Sequence, residues 1–364
     1  MKILHIYKDY HPIFGGIEGH LETLAERQVQ LGHDVTVLVT NPGGQPAQET
    51  RNGVKIIRAH RLATIASTPL SVQMPWLVRQ LQPDIAHLQF PYPVGEVSQW
   101  LCGRRHPFVI SYQSDVVKQK AILKLYGPIL KRVLNAADQI IPATANYMRS
   151  SPWLQPLQHK CTPVPIGIAE SRFVNAQPLE KFKRDKPTIL FVGRHRHYKG
   201  VDVLIKALTQ VPNAHLLITG DGVERANYEA AVQQNGLANR VTFLGNVPHE
   251  ELPSLYQSAD IFTLPSINRA EAFGIVLLEA MAAGLPCVTT ELSTGTSFVV
   301  QDQQTGYVVP PSDPQALAHA LNTLLQNPQQ RHQMGEAGRQ RLFDLFTIER
   351  MVTQIQAVYE QVLA

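Results

Sequence analysis

The chain has 364 residues, 44% of them hydrophobic and 17% charged, enough apolar material for two cores at about 150 residues per domain and too much for a disordered chain. Its formal charge is +4 with histidine neutral, far from the dense basic stripe of a nucleic-acid binder. Three widely spaced cysteines, Cys102, Cys161 and Cys287, show no metal or redox spacing; they argue against a disulfide framework or structural zinc and point to a reducing cytoplasm.

Residues 2–7 read as a buried strand, and the charge that follows comes too early for a signal-peptide core. Residues 16–31 have helical spacing through Ile17, Leu21, Leu24, Ala25 and Val29. Strand-like runs recur at 34–40, 54–60, 84–90, 108–112 and 139–143, with helix-length segments between most of them. The same alternation restarts after Pro187 at 188–193, 215–219, 241–244, 260–264 and 286–290. Strands separated by helix-length segments predict right-handed βαβ units and parallel sheets covered on both faces. Residues 169–185 are charged and apolar-poor and read as a linker between domains 1–168 and 186–347. A helical run from 313 to 363, broken at Pro328 and near Thr347, ends the chain. The most apolar stretch, 272–288, carries Glu279, glycines and Pro286, so no membrane-spanning helix is expected. The expected architecture is two doubly wound α/β domains facing each other across a cleft, with ligands at the carboxyl ends of the strands.

Gly15-Gly16-Ile17-Glu18 sits between the first strand and the first helix, where close backbone approach and free helix amides suit a phosphate. A plain tight turn reads the same. No dinucleotide fingerprint is present, because Gly220-Asp221-Gly222 is followed by Arg225 where a third glycine belongs. After the first strand of the second half, Arg194 and Lys199 share a loop with Gly193 and Gly200. A bidentate guanidinium and a compact ammonium there make a diphosphate clamp, against the alternative of a solvated basic loop. His195 and His197 lack a carboxylate cluster and read as incidental rather than metal ligands.

The segment from Ser266 to Gly284 is the most informative. It follows a strand, its helix should begin near Gly274, and Glu271 and Glu279 are separated by seven residues. Ile275, Leu277, Leu278 and Met281 hold that helix to the sheet, so Glu279 stands among apolar neighbours and needs a partner. A ribose diol supplies one, since a carboxylate can accept from both hydroxyls. The amides of Gly274, Ile275 and Val276 would meet a phosphate at the helix N-terminus.

The Gly-Gly-Ile-Glu turn, the Gly-Arg…Lys-Gly loop and the Glu-x7-Glu segment, in this order, resemble the retaining family 4 glycosyltransferases of GT-B fold. Gly220-Asp-Gly, Leu244-Gly-Asn-Val-Pro and Thr305-Gly-Tyr-Val-Val-Pro-Pro add to the match, which covers essentially the whole chain. The resemblance implies two Rossmann-like domains and a last helix, 348–364, that crosses back to the first. It implies that Gly15 and Gly16 touch the donor diphosphate with Arg194 and Lys199. Glu279 would then bind the ribose and Glu271 the transferred sugar, with Phe273 in the same loop and Val247 near the base. Asp9, His20 and Asp115 fall on the acceptor side. The reaction implied is metal-independent front-face transfer from a GDP- or UDP-sugar, with no resident cofactor.

One position departs from the pattern. Ser111-Tyr112-Gln113-Ser114-Asp115-Val116-Val117 resembles a segment reading Tyr-His-Ser-Asp-Ile-Val in a bacterial branch, whose histidine lies beside the reaction centre. Glutamine keeps a hydrogen-bonding amide but carries no proton or positive charge. Nearby, Lys118, Lys120, Lys124, Lys131 and Arg132 interleave with apolar residues and no acid. Such a segment fits an amphipathic helix on the anionic inner face of the cell membrane, or equally a solvated helix over the core. The expected function is hexosyl transfer, of a mannose- or glucose-type sugar, to a glycan or lipid-linked acceptor. A nucleotide-sugar-binding protein with weak transfer and a nucleotide-sugar epimerase are the alternatives.

Overall fold

A computed structural model describes residues 1–13, 15–115 and 120–364, and the side chains among them except those of 120–123. The chain divides into two compact units, residues 1–167 with 348–364, and residues 168–347.

The first unit is built on β1 (Lys2–Ile6), β2 (Asp34–Thr40), β3 (Gln48–Arg51), β4 (Val54–Ala59), β5 (Ala63–Ile65), β6 (Thr68–Leu70), β7 (Ile85–Phe90), β8 (Phe108–Tyr112) and β9 (Gln139–Pro142). Seven of these form one sheet in the order β3-β4-β2-β1-β7-β8-β9, while β5 and β6 make a separate hairpin. Every pairing in the large sheet is parallel except β3 with β4. The parallel strands are mostly apolar because helices cover the sheet faces; β7 and β8 are buried at every position, His87, Gln89 and Ser111 included. The edge strand β3 has the polar sequence QETR and no apolar alternation, so composition hides it. The signal for it is Asn52-Gly53, both at positive φ, which close a two-residue hairpin onto β4. The last helix, Ile348–Leu363, belongs to this unit and buries Ile348, Met351, Val352, Ile355, Val358 and Tyr359, a stripe at helical spacing.

The second unit holds β10 (Thr188–Val192), β11 (His215–Thr219), β12 (Val241–Gly245), β13 (Ile261–Leu264), β14 (Cys287–Thr290) and β15 (Gly306–Val309). They form an all-parallel sheet in the order β12-β11-β10-β13-β14-β15. Strand order reverses between β10 and β13, so the loops leaving these two strands diverge and open a crevice at their carboxyl ends. In the first unit the reversal falls between β1 and β7.

The linker reading of 169–185 is corrected, because this segment is folded onto the second unit. Phe173 and Phe182 are buried, and the Phe173 ring meets Tyr256 edge-on at 5.5 Å. The Gln257 amide donates to the Phe173 carbonyl at 2.7 Å. Two phenylalanines in a charged stretch are too sparse to register as a period, yet they suffice to anchor it. Among the described residues no helix is long and apolar enough to cross a membrane.

Candidate active site

In the second unit the crevice is lined from the loops after β10 and β13. Lys199 ends the first loop, and Gly200 after it, at φ +68°, caps the helix Val201–Leu208. A Cβ on Gly200 would fall 2.0 Å from the Pro265 carbonyl oxygen, so only glycine lets the two loops touch. The Tyr198 carbonyl accepts from the Ile267 amide at 2.8 Å and fixes the same approach. Lys199 is thereby delivered to Glu271: Nζ lies 2.6 Å from Oε2, both side chains are buried, and Ser266 Oγ donates to that oxygen at 3.0 Å. Burial opposes the lysine charge, but the adjacent carboxylate outweighs it and raises the ammonium above its ordinary value. The residues assigned from sequence to diphosphate and sugar are therefore an ion pair here. Arg194 stands exposed in the same loop.

Gly274, at φ +84°, caps the helix Ile275–Ala282, and a Cβ there would lie within 3.0 Å of Leu264 and Leu277. Ile275 and Val276 occupy the first turn and are half-exposed, with amides that the helix itself does not use. Phe273 is buried with its ring edge-on to Phe346 at 6.2 Å, so only its backbone faces the crevice. One turn into the helix, Glu279 accepts from the Tyr256 hydroxyl at 2.6 Å. Burial raises its carboxyl above the ordinary range, while Tyr256 and the charge of Arg172 pull it back. Val247 lies half-exposed just beyond the end of β12. His195 is enclosed by the rings of Tyr228 and Phe243, so its side chain belongs to the core.

In the first unit, Gly15 caps the helix Gly16–Gln30 with extended backbone, and Gly16 is exposed. Gln113 follows β8; it is buried and donates from its amide to Gln89 Oε1 at 3.1 Å. Asp9 pairs with Arg61. Asp115 accepts from Tyr112 at 2.9 Å and Ser151 at 2.7 Å, with Tyr147 bonded to its own amide. His20 is 8% exposed and its ring nitrogens find no described partner, so it is a buried residue rather than an open acceptor contact. Among the described residues, no group of three or more His, Cys, Asp or Glu is placed to hold a metal.

Sequence comparison accounts for both units. Residues 14–169 match Glycosyltransferase Family 4, and residues 175–341 match Glycosyl transferases group 1. The O-antigen chain mannosyltransferase C of Escherichia coli is 33% identical, covering 100% of this chain and 99% of that protein. The chain belongs to glycosyltransferase family 4. The D-rhamnosyltransferase WbpZ of Pseudomonas aeruginosa is 35% identical over 95% of this chain and 92% of its own. The fold of this glycosyltransferase is GT-B. Sucrose-phosphate synthase from Thermosynechococcus elongatus superposes with a TM-score of 0.82 at 24% identity, covering 99% of this chain and 98% of that one. Anabaena HepE with UDP and glucose gives 0.80 at 18%, covering 99% and 100%.

Four residues that shape the crevices escape a sequence reading: Ser266, Tyr256, Arg61 and Gln89. Ser266 opens the loop that carries Glu271 and has a weak signal by adjacency. The other three are separated by tens of residues from the groups they hold, and nothing in local composition marks them.

Proposed function

We propose that this glycosyltransferase is a retaining, metal-independent hexosyltransferase. It would move a mannose- or glucose-type sugar from a GDP- or UDP-sugar to a glycan or lipid-linked acceptor. The observation that carries the reading is the buried Lys199–Glu271–Ser266 cluster at the β10/β13 reversal, beside the helix N-terminus at Gly274. Lys199, Arg194 and the first-turn amides supply positive potential for a departing diphosphate. Glu279 supplies an acceptor for the ribose and Glu271 one for the transferred sugar. Val247 would lie near the base, and the turn at Gly15 and Gly16 would suit a phosphate. The mannosyl- and rhamnosyltransferase names of the relatives support a sugar of this type.

In the front-face reaction the bond from the anomeric carbon to the phosphate oxygen breaks as the bond to the acceptor oxygen forms on the same face. The acceptor proton passes to the leaving phosphate. Charge on the leaving group is the quantity the site must offset, and Lys199 with Arg194 would do so without a metal ion. Transfer from labelled GDP-mannose and UDP-glucose to a lipid-linked saccharide, in excess EDTA, should persist and give product of unchanged anomeric configuration. Turnover lost and restored by Mn²⁺ would overturn metal independence. Epimerised sugar without transfer would overturn the reaction itself.

Gln113 is placed beside the transferring sugar in this reading, supported by its position at the carboxyl end of β8. Gln113→Ala should lower kcat by roughly tenfold to a hundredfold, the worth of one hydrogen bond in a dry site. Gln113→His should bring a titration near pH 6 to 7 into the rate profile. Unchanged kcat in both variants would reduce Gln113 to a buried plug bonded to Gln89.

Membrane contact is proposed through the helix Lys120–Ala136, on which Lys124, Leu125, Lys131 and Arg132 are exposed. Lys118 lies outside the described residues. At about 1 kcal/mol per cation near an anionic surface, Lys124→Gln/Lys131→Gln/Arg132→Gln should cut co-sedimentation with phosphatidylglycerol vesicles roughly a hundredfold. Equal binding by parent and variant would refute this face.

A further inference from the structure

Tyr256 is fully buried on the helix Leu252–Gln257, and its ring is locked by Phe173 edge-on at 5.5 Å and by Phe262 at 5.5 Å. Its hydroxyl reaches the partly exposed end of Glu279 and donates to Oε2 at 2.6 Å. Oε1 takes no bond among the described residues. A carboxylate on three rotatable bonds is thus reduced to one orientation with one free oxygen, by a partner that cannot itself turn.

We propose that Tyr256 is the positioning residue for nucleotide recognition: by pinning Oε2 it presents Glu279 Oε1 to the ribose hydroxyls and sets the preference for ribonucleotide over deoxyribonucleotide donors. The inference rests on the reading that Glu279 meets the ribose, and adds how that contact acquires specificity. A free carboxylate can swing to satisfy itself with water when a hydroxyl is missing. A pinned one cannot, so an absent hydroxyl leaves a half-buried charge short of a partner, and that penalty is the discrimination.

The same bond favours the ionised form of Glu279, the stronger acceptor. Burial raises its carboxyl, and the Tyr256 hydroxyl and Arg172 act against that rise. Around it, β14 brings only the Cys287 thiol, which burial keeps neutral. The helix Pro328–Leu345 brings Arg339, which lies against Gly284 at the far end. β13 and the helix Thr296–Val299 carry no titratable side chain. With the hydroxyl removed, protonation should reach to higher pH and weaken the acceptor.

The experiment is calorimetric titration of the intact protein with GDP and UDP and with their 2′,3′-dideoxy forms, from pH 5.5 to 8. Tyr256→Phe should weaken the ribonucleotide about tenfold and leave the dideoxy form unchanged or bound more tightly. Its acid limb of binding should move upward, and in turnover KM should rise with kcat within about twofold. Tyr256→Phe/Glu279→Gln should be no worse than Glu279→Gln alone, which also guards against a folding artefact. Ribonucleotide preference and acid limb unchanged in Tyr256→Phe would overturn the proposal, provided Glu279→Gln weakens binding. If Glu279→Gln itself leaves the ribonucleotide Kd unchanged, the ribose reading falls and takes the proposal with it.

Discussion

Lys199→Ala should lower kcat by about 10³-fold and weaken the nucleoside diphosphate, the largest effect expected of any single change in the second unit. Two losses act together. The ammonium no longer meets the diphosphate as charge develops on it, and Glu271 is left buried without its partner. The second effect belongs to the resting protein. Removing one member of a buried ion pair costs about 3 to 5 kcal/mol, so Lys199→Ala should also unfold at a visibly lower temperature. Glu271→Ala separates the two. It deletes the sugar contact, so turnover should fall. It also releases Lys199 from a 2.6 Å competitor, so affinity for the free diphosphate should hold or rise. Calorimetry with GDP or UDP beside steady-state rates with the sugar donor measures both. A Glu271→Ala protein that binds the diphosphate as poorly as Lys199→Ala would show that Lys199 serves Glu271 alone and never reaches the phosphate.

That coupling marks the limit of what the sequence discloses. The parallel sheets are legible because strands buried on both faces read as mostly apolar runs, and the glycine positions are legible because few other residues tolerate such contacts. Gly200 and Gly274 stand where the loops demand them. The two glutamates are legible by spacing along one loop and one helix. Pairings across the sheet are not. Lys199 and Glu271 lie 72 positions apart and Tyr256 and Glu279 lie 23 apart, and each pair meets only because β10 and β13 are neighbours or because two helices pack. Sequence therefore names the charged groups but assigns each of them to ligand, since ligand is the only partner it can see. His20, which falls on the acceptor side by resemblance, is buried by its own helix, a placement that spacing alone does not disclose.

The histidines of the first unit should make it acid-labile. His5, His20 and His87 are all buried, and the His5 and His87 rings lie 5.1 Å apart. His5 bonds Gln28 at 2.6 Å, Gln28 donates to the Tyr359 hydroxyl at 3.2 Å, and that hydroxyl donates to His87, whose other nitrogen bonds Ser111 at 2.7 Å. The chain ties the helix Ile348–Leu363 to the sheet, and its bond from the Tyr359 hydroxyl to His87 needs an unprotonated imidazole nitrogen. Burial lowers His5 and His20 from 6.5 to about 4, and lowers His87 further with help from the other two. A group whose folded pKa is depressed below its unfolded one binds protons more readily when unfolded. Its stabilising effect is therefore complete above pH 6.5 and is lost as pH falls from there toward 4. At about 1.4 kcal/mol per unit, His5 and His20 each forfeit about 3 kcal/mol across that window, a large part of the 5–15 kcal/mol typical of a domain. All three tryptophans, Trp76, Trp100 and Trp153, lie in this unit, so tryptophan fluorescence follows its unfolding selectively. Urea midpoints read this way should drop steeply between pH 6.5 and 4.5. His20→Leu removes a buried ring with no described bond, and should flatten that slope while leaving the midpoint at pH 8 unchanged or raised. His87→Phe breaks two bonds of the chain and should lower the midpoint at every pH. A His20→Leu protein with the parent's full acid dependence would mean that His20 takes up its proton as readily folded as unfolded, and that other groups carry the acid transition.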